Sequence, residues 1–353
     1  MPSGLVNLKG IVSLSPLNYA SLGERDPEFT NAEGGWSTTD MVHEAPFSNA
    51  TEARPGTLVR KPSVWEVLTS ERYFKWTLLL PLLALLLIFM LYPLFYCLYY
   101  SFFEWGMQGD AIFIGLENYR QMLNDKSFLE AFARTLEVLA ICIVAELLVG
   151  LGLAMLWNRE FRGQNIVRGL ALLPLLVAPL VLSLLCNFML EYDFGAINQI
   201  LSAIGLGKAY WWSPHFALYT ICLITIWQWF PFSVFVLLAG LRSLPRDVFE
   251  AAKVDGASGW YTFRRLTLPM LSPLIMIIVV LRTMWLIRLF DPLYGTTRGG
   301  VGTELLDWLV YRTAFVYFDV GYGSSMAIFS LYLTIAICAI MYRHLMKALG
   351  VIR

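Results

Sequence analysis

Three charged side chains stand inside long apolar runs: Glu146, Arg282 and Arg288. A lone charge at the centre of a membrane helix costs roughly 2.5–3.5 kcal/mol, so such residues belong on a bundle interior, a partner subunit or a wet cavity. Arg282 is the deeper of the two arginines. Two chemistries fit it: lining a passage for a polar solute or forming a gate ion pair, or making a structural pair with Glu146 or with a residue of a second subunit. Arg288 sits near the outer end of its run, where a long side chain reaches the interface. A fourth candidate is aromatic. Trp227, Trp229, Phe230 and Phe232 surround Gln228. An indole face stacks on a sugar ring and an amide bonds its hydroxyls, which marks Trp227 and Gln228 for solute contact; the competing reading is an aromatic belt at the membrane boundary.

Other chemistries find no residues. There is no GxxxxGK[ST] run, so the chain carries no phosphate-cradling loop of its own. HExxH, GxSxG and paired-cysteine zinc patterns are absent too. The five cysteines (Cys97, Cys142, Cys186, Cys222, Cys338) all lie in apolar runs and read as small core residues. His43, His215 and His344 are scattered, and no metal site is expected.

The elements that must position these residues are membrane spans. The chain has 353 residues, 58% of them hydrophobic, against 45–50% in soluble domains. Its mean hydropathy is +0.61. Six runs reach the ~20 residues a span needs, at about 76–101, 133–157, 167–190, 216–241, 269–290 and 323–343. The fold class is therefore an all-α polytopic membrane protein. Pro81, Pro93, Pro174, Pro179 and Pro231 predict kinks. Formal net charge is zero, but its placement is not even. Basic residues gather before span one, between spans two and three, between spans four and five, and after span six. By the positive-inside rule both termini and the 242–265 loop are cytoplasmic.

Residues 1–61, rich in Ser, Asn, Gly and Pro, read as a disordered cytoplasmic tail ahead of a transmembrane domain over 62–353. Pro62 to Lys75 reads either as a short surface helix or as a plain extension into the first span. On the outer side, Ser127 followed by Glu130 predicts a capping box that opens a helix. Gly150 and Ala154 place small residues one turn apart on span two, a surface for close packing within a bundle or across a dimer. Gly299–Gly300 predicts a tight turn, and Leu305 to Phe315 a surface helix.

Between spans four and five lies a polar island, EAAKVDGASGWYTFRRLTLPMLSP, from Glu250 to Pro273. It reads as two short helices and a turn. Pro245 suits the first turn of a helix, Gly256 the left-handed position beyond its end, and Ser258 the cap of the next. Ala251, Ala252 and Ala257 leave room for close approach. This stretch resembles the EAA loop of binding-protein-dependent ABC importers, on Glu250, Ala251, Ala252, Asp255, Gly256, Ala257, Leu268 and Pro269. Further on, Arg282, Thr283, Arg288, Phe290, Asp291, Tyr294 and Thr297, then Tyr311, Ala314, Phe315, Asp319, Gly321, Tyr322 and Ser325, are similar to the larger membrane subunit of sugar importers of the maltose and glycerol-phosphate type. Two positions depart from that pattern: Val301 stands where proline usually follows the glycine pair, and Trp285 where an acidic residue is common.

The resemblance implies a helix-turn-helix coupling loop that docks on a separate ATPase dimer, with Glu250 making a charged contact, Gly256 setting the helix angle, and Leu268 and Pro269 tying the loop to span five. ATP and magnesium would sit on that partner, and this chain would bind no cofactor itself. A second, paralogous permease subunit and an extracytoplasmic solute-binding protein would complete the complex in a bacterial or archaeal inner membrane. No nucleic-acid partner is implied. Arg282, Arg288, Asp291, Glu146, Trp227 and Gln228 are the candidates for the solute path or gate. The implied cargo is a sugar or oligosaccharide, with a polyol or glycerol phosphate as the alternative. An ion-driven secondary transporter would predict inverted repeats around a midplane site, and a non-transporting scaffold would leave the buried charges purely structural.

Overall fold

The computed structural model describes residues 71–348. The tail expected over 1–61, and most of the surface segment beginning at Pro62, lie outside these residues. Five helices are long and apolar enough to cross a membrane, and a bent pair makes a sixth if counted as one span.

Helix α1 (Glu71–Tyr100) leads into two short strands, β1 (Phe103–Glu104) and β2 (Ile112–Phe113). They pair antiparallel, Phe103 with Phe113 and Glu104 with Ile112, a small β ribbon that the all-α expectation did not include. Asn118, buried on α2 (Glu117–Asn124), fastens it by donating to the carbonyls of Ser101 and Phe103 at 3.0 and 2.9 Å. Helix α3 (Lys126–Trp157) is not capped by Ser127 as expected. Asp125 takes that role, its Oδ1 accepting from the Ser127 N–H at 2.9 Å. Glu130 turns to Arg134 at 2.8 Å instead of reaching back to the cap.

The third apolar run is not one rod. It divides into α4 (Gln164–Leu176) and α5 (Pro179–Met189), bent by 98°. Pro179 lacks the N–H that would continue α4 and drives the preceding residue out of the helical region. Val177 and Ala178 are accordingly extended, with ψ of 134° at each. Pro231, by contrast, sits inside α7 (Ala217–Ser243) without ending it.

Helices α3 and α7 form the central seam. A Cβ on Gly150 would fall 2.7 Å from that of Ser233, so the Gly150/Ala154 spacing serves contact within this chain. Val138, Cys142, Ile221 and Leu286 bury together beside it. All five cysteines are free, as expected.

Beyond α6 (Ala196–Ala203) and α7 come α8 (Arg246–Val254), α9 (Gly259–Thr262), α10 (Leu268–Ile287), α11 (Asp291–Tyr294), α12 (Leu306–Tyr311) and α13 (Val320–Ala348). The span expected to run to 290 ends at Ile287. The surface helix expected over Leu305 to Phe315 is corrected. Leu305, Leu306 and Leu309 are buried, and the Leu306 N–H donates to Thr135 Oγ1 at 2.9 Å. The three leucines fall within about 100° of the helix circumference and make one apolar face, which packs inward. The preceding turn holds Arg298, Gly299, Val301 and Gly302 at φ of 50°, 70°, 55° and 77°.

Candidate functional site

The two deepest charges meet. Arg282 on α10 donates from Nε and Nη2 to the two carboxylate oxygens of Glu146 on α3, both at 2.6 Å. Their side chains are 3% and 0% exposed. The fork geometry matches a carboxylate bidentately. The guanidinium also lies over the Trp229 ring at 4.6 Å, and Trp285 meets that ring edge-on at 4.0 Å. Arg282 therefore finds its counter-charge within this chain.

Arg282 also forms part of the wall of a cavity of about 1230 Å³. Its polar wall comes from Gln228 and Trp229 on α7, Trp285 on α10, and Arg288, Asp291 and Asp307 beyond it. Met90, Leu94 and Cys97 of α1 and Ile328 and Leu331 of α13 supply apolar lining. Gln228 is 2% exposed, and its amide donates to the Val177 carbonyl at 3.1 Å. That carbonyl is one the α4–α5 break leaves without a helical partner, so the glutamine secures the bend beside the cavity. Ser183 on α5 donates to the Asp291 carbonyl at 3.2 Å and ties the same bend to α11.

Trp227 is corrected. It is 46% exposed and does not line the cavity. At about 100° per residue Trp227 and Trp229 point about 200° apart, so a cavity that takes Trp229 leaves Trp227 on the other side of the helix. Trp229 lines the cavity beside Gln228. Asp307 was missed. A single acid in the apolar run Leu305 to Val310 was the available signal. Burial pushes its carboxyl above the ordinary range, with Arg288 pulling down and Asp291 adding to the rise.

The polar loop folds at the far end of α7 and α10. Pro245 is the residue before α8, extended at ψ 124°, and not within its first turn as expected. At the other end the Ala257 N–H donates to the Ala252 carbonyl at 2.9 Å and the Gly256 N–H to that of Lys253 at 3.1 Å. These two bonds, with Gly256 at φ 76°, form a glycine-dependent helix stop. Ser258 Oγ then accepts from the Tyr261 N–H at 3.3 Å and opens α9. The second helix does not end before the span. Through one wider turn, Phe263–Thr267, it continues into α10, so Leu268 and Pro269 lie inside a continuous helical path. No residue of α8 is buried. Glu250, Ala251, Asp255 and Gly256 are exposed, while Ala252 and Ala257 are half-buried. Val254 and Trp260, at 87% and 68% exposure, leave apolar surface beside those charges.

Residues 146–351 match the family described as binding-protein-dependent transport system inner membrane component. The chain belongs to that family of transporter membrane subunits. It is 34% identical over 278 residues to the sulfoquinovosyl glycerol transport system permease of Agrobacterium fabrum, covering 77% of this chain and 90% of that one. It is 30% identical over 271 residues to the trehalose/maltose transport system permease of Thermococcus litoralis, at 75% and 91% coverage. Among solved structures, a bacterial ABC transporter involved in import of the acidic polysaccharide alginate superposes with a TM-score of 0.66 at 22% identity, over 80% of this chain and 98% of that chain. That likeness supports the fold.

Proposed function

We propose that this chain is the permease subunit of an ATP-driven importer of a sugar or oligosaccharide, and that the Glu250 loop couples it to a separate ATPase. The observation that carries the coupling is the path of the helix. An uncovered α8, bounded by the Gly256 stop, joins a continuous helical path into α10, which carries Arg282 on the cavity wall. A load applied at the loop reaches the cavity without crossing a flexible joint after Ser258. Glu250 makes the charged contact with the ATPase, and Ala251, Ala252 and Ala257 let its surface approach. ATP and magnesium belong to that partner; this chain contributes no nucleotide chemistry.

The carbohydrate cargo rests on the relatives and on the wall chemistry. Indole faces at Trp229 and Trp285 suit pyranose rings, and Gln228, Arg288, Asp291 and Asp307 suit hydroxyls. A second, paralogous permease closes the open side of the cavity, and an extracytoplasmic binding protein delivers the solute. The basic residues around the loop support a cytoplasmic position for it and for both termini. The transmembrane domain runs over 62–353.

The test is purification of the solubilised chain with a mass-spectrometric inventory of what accompanies it. A P-loop ATPase and a second multi-span protein are expected. Isolation of the chain alone or as a homodimer, in a detergent that preserves known importer complexes, overturns the reading. Uptake abolished by collapsing a proton or sodium gradient assigns an ion-driven carrier in its place.

A further inference from the structure

A second cavity, of about 920 Å³, opens where the ends of α3, α4 and α7 meet α8. Five cations line it: Arg159, Arg168, Arg242, Arg246 and Lys253. Glu160 and Glu250 are the two acids on its wall. Among the described residues no ion pair within 4.0 Å involves any of the seven. The wall therefore carries three positive charges in excess. Arg168 is held in place, donating through Nη2 to the Trp157 carbonyl at 2.5 Å, while its Nε is buried and unpartnered among the described residues. Gln164 Oε1 is buried without a partner beside it. Along the same two helices the chain exposes apolar side chains. Met155 lines the cavity at 41% exposure, and Leu156, Ile166 and Leu170 follow at 59%, 69% and 60%.

We propose that this cavity binds the phosphate headgroup of an anionic phospholipid, with its acyl chains along the exposed apolar side chains of α3 and α4. Guanidinium forks match phosphate oxygens, and basic pockets at the ends of membrane helices are a recurrent headgroup site. The apolar shelf beside the cations favours a lipid over a free phosphate, which has no use for it. Arg246, Phe249 and Lys253 bring α8 into the wall. A bound headgroup thus bridges the span ends to the polar loop and makes the loop's position sensitive to membrane composition. This site does not depend on the identity of the cargo.

Native mass spectrometry of the full chain with phosphatidylglycerol, and with phosphatidylcholine as the zwitterionic comparison, tests it. Phosphatidylglycerol is expected to be retained preferentially. One cation near an anionic headgroup is worth about fivefold in affinity, so Arg159→Gln with Arg242→Gln lowers retention by about 25-fold. Arg159 and Arg242 are exposed, which spares the fold. The double lysine variant keeps most of the preference, and Arg120→Gln, on α2 away from the cavity, keeps all of it. Equal retention by the wild type and the double glutamine variant overturns the proposal, as does equal retention of phosphatidylcholine. Displacement of the lipid by inorganic phosphate, which also binds alone, reassigns the cavity to a soluble phosphate and overturns the lipid source.

Discussion

Removing either partner of the Glu146–Arg282 pair destabilises the fold sharply, whereas removing both does not. The pair is bidentate at 2.6 Å with side chains 0–3% exposed. Breaking a buried pair costs about 3–5 kcal/mol, because one charge is left unpaired. The two single substitutions differ in kind. In Arg282→Met, Glu146 escapes by taking a proton, which at pH 7 costs about 3.7 kcal/mol for a group that ordinarily titrates near 4.3. That deficit shrinks by about 1.4 kcal/mol for each unit the pH falls. In Glu146→Leu, Arg282 has no such escape, since guanidinium stays protonated. Its deficit is larger and does not move with pH. It keeps only the Trp229 face, worth about 2 kcal/mol when desolvated. The double variant Glu146→Leu/Arg282→Met returns to within about 1 kcal/mol of the wild type, as apolar replacements of buried pairs do. Equilibrium unfolding by SDS titration in mixed micelles, at pH 7 and pH 5, reads all four species. At pH 7, single variants within 1 kcal/mol of wild type, or a double variant equal to the sum of the singles, refute the pairing. Uptake by the folded double variant then separates a gate from a brace: lost transport marks a gate, retained transport a brace.

Gly256→Val puts a β-branched residue at φ 76°, where an L residue pays about 1–2 kcal/mol. A Cβ there meets nothing, so the chain still folds, and ATP hydrolysis by the assembled complex is expected to continue without uptake. Val301→Gly relieves the strain of φ 55° and raises the unfolding midpoint by about 1 kcal/mol equivalent, whereas Val301→Pro, locked near −65°, lowers it. Asp307 has a carboxyl raised by burial, so native protein holds its proton to higher pH than the unfolded chain does. Its contribution is fully present below the unfolded value and is lost as pH rises through the folded one. Asp307→Asn is therefore expected to stabilise the chain at neutral pH and to flatten that part of its pH–stability profile; an unchanged profile counts against the burial.

Five long apolar helices and the short helices of the polar loop were legible because each depends on local chemistry. Twenty apolar residues, a proline before a helix, a glycine after one and a serine before the next all act within a turn or two of themselves, and the Gly256 stop forms where the sequence places it. The break in the third run was half legible. Pro174 and Pro179 predict kinks equally, yet only Pro179 divides a helix, because Gln228 of a distant helix accepts the bend by bonding the Val177 carbonyl. That partner is invisible to any reading of one run at a time. The Glu146–Arg282 pair joins residues 136 positions apart, and the sequence offered Glu146 as a partner without deciding between it and a residue of a second subunit. Trp227 failed for a simpler reason: it and Trp229 flank Gln228 on opposite sides of the helix, and only one of them can face the same cavity. Leu305 to Phe315 failed because a leucine-rich helix between outer loops has the same composition whether it floats or packs, and the deciding contact, Leu306 to Thr135, comes from α3.

The continuous helix after Ser258 bears on how a loop and a cavity exchange force. A hinge at Thr267, between loop helix and span, would let the loop move while α10 stayed still. The wider turn at Phe263–Thr267 keeps the chain helical there and buries Thr267, so rotation of α9 carries α10 with it. On α10, Arg282 is clamped to α3 through Glu146, and α3 is seated on α7 through Gly150 and Ser233. Three helices are thus braced together beside the cavity, and the chain changes direction at Gly256, where α8 meets α9 through a hydrogen-bonded turn. Under the proposed coupling, a fixed turn at that glycine passes a load from α8 into α9. The buried pair adds a register to this block: a bidentate fork meets both carboxylate oxygens at one offset of α10 along α3.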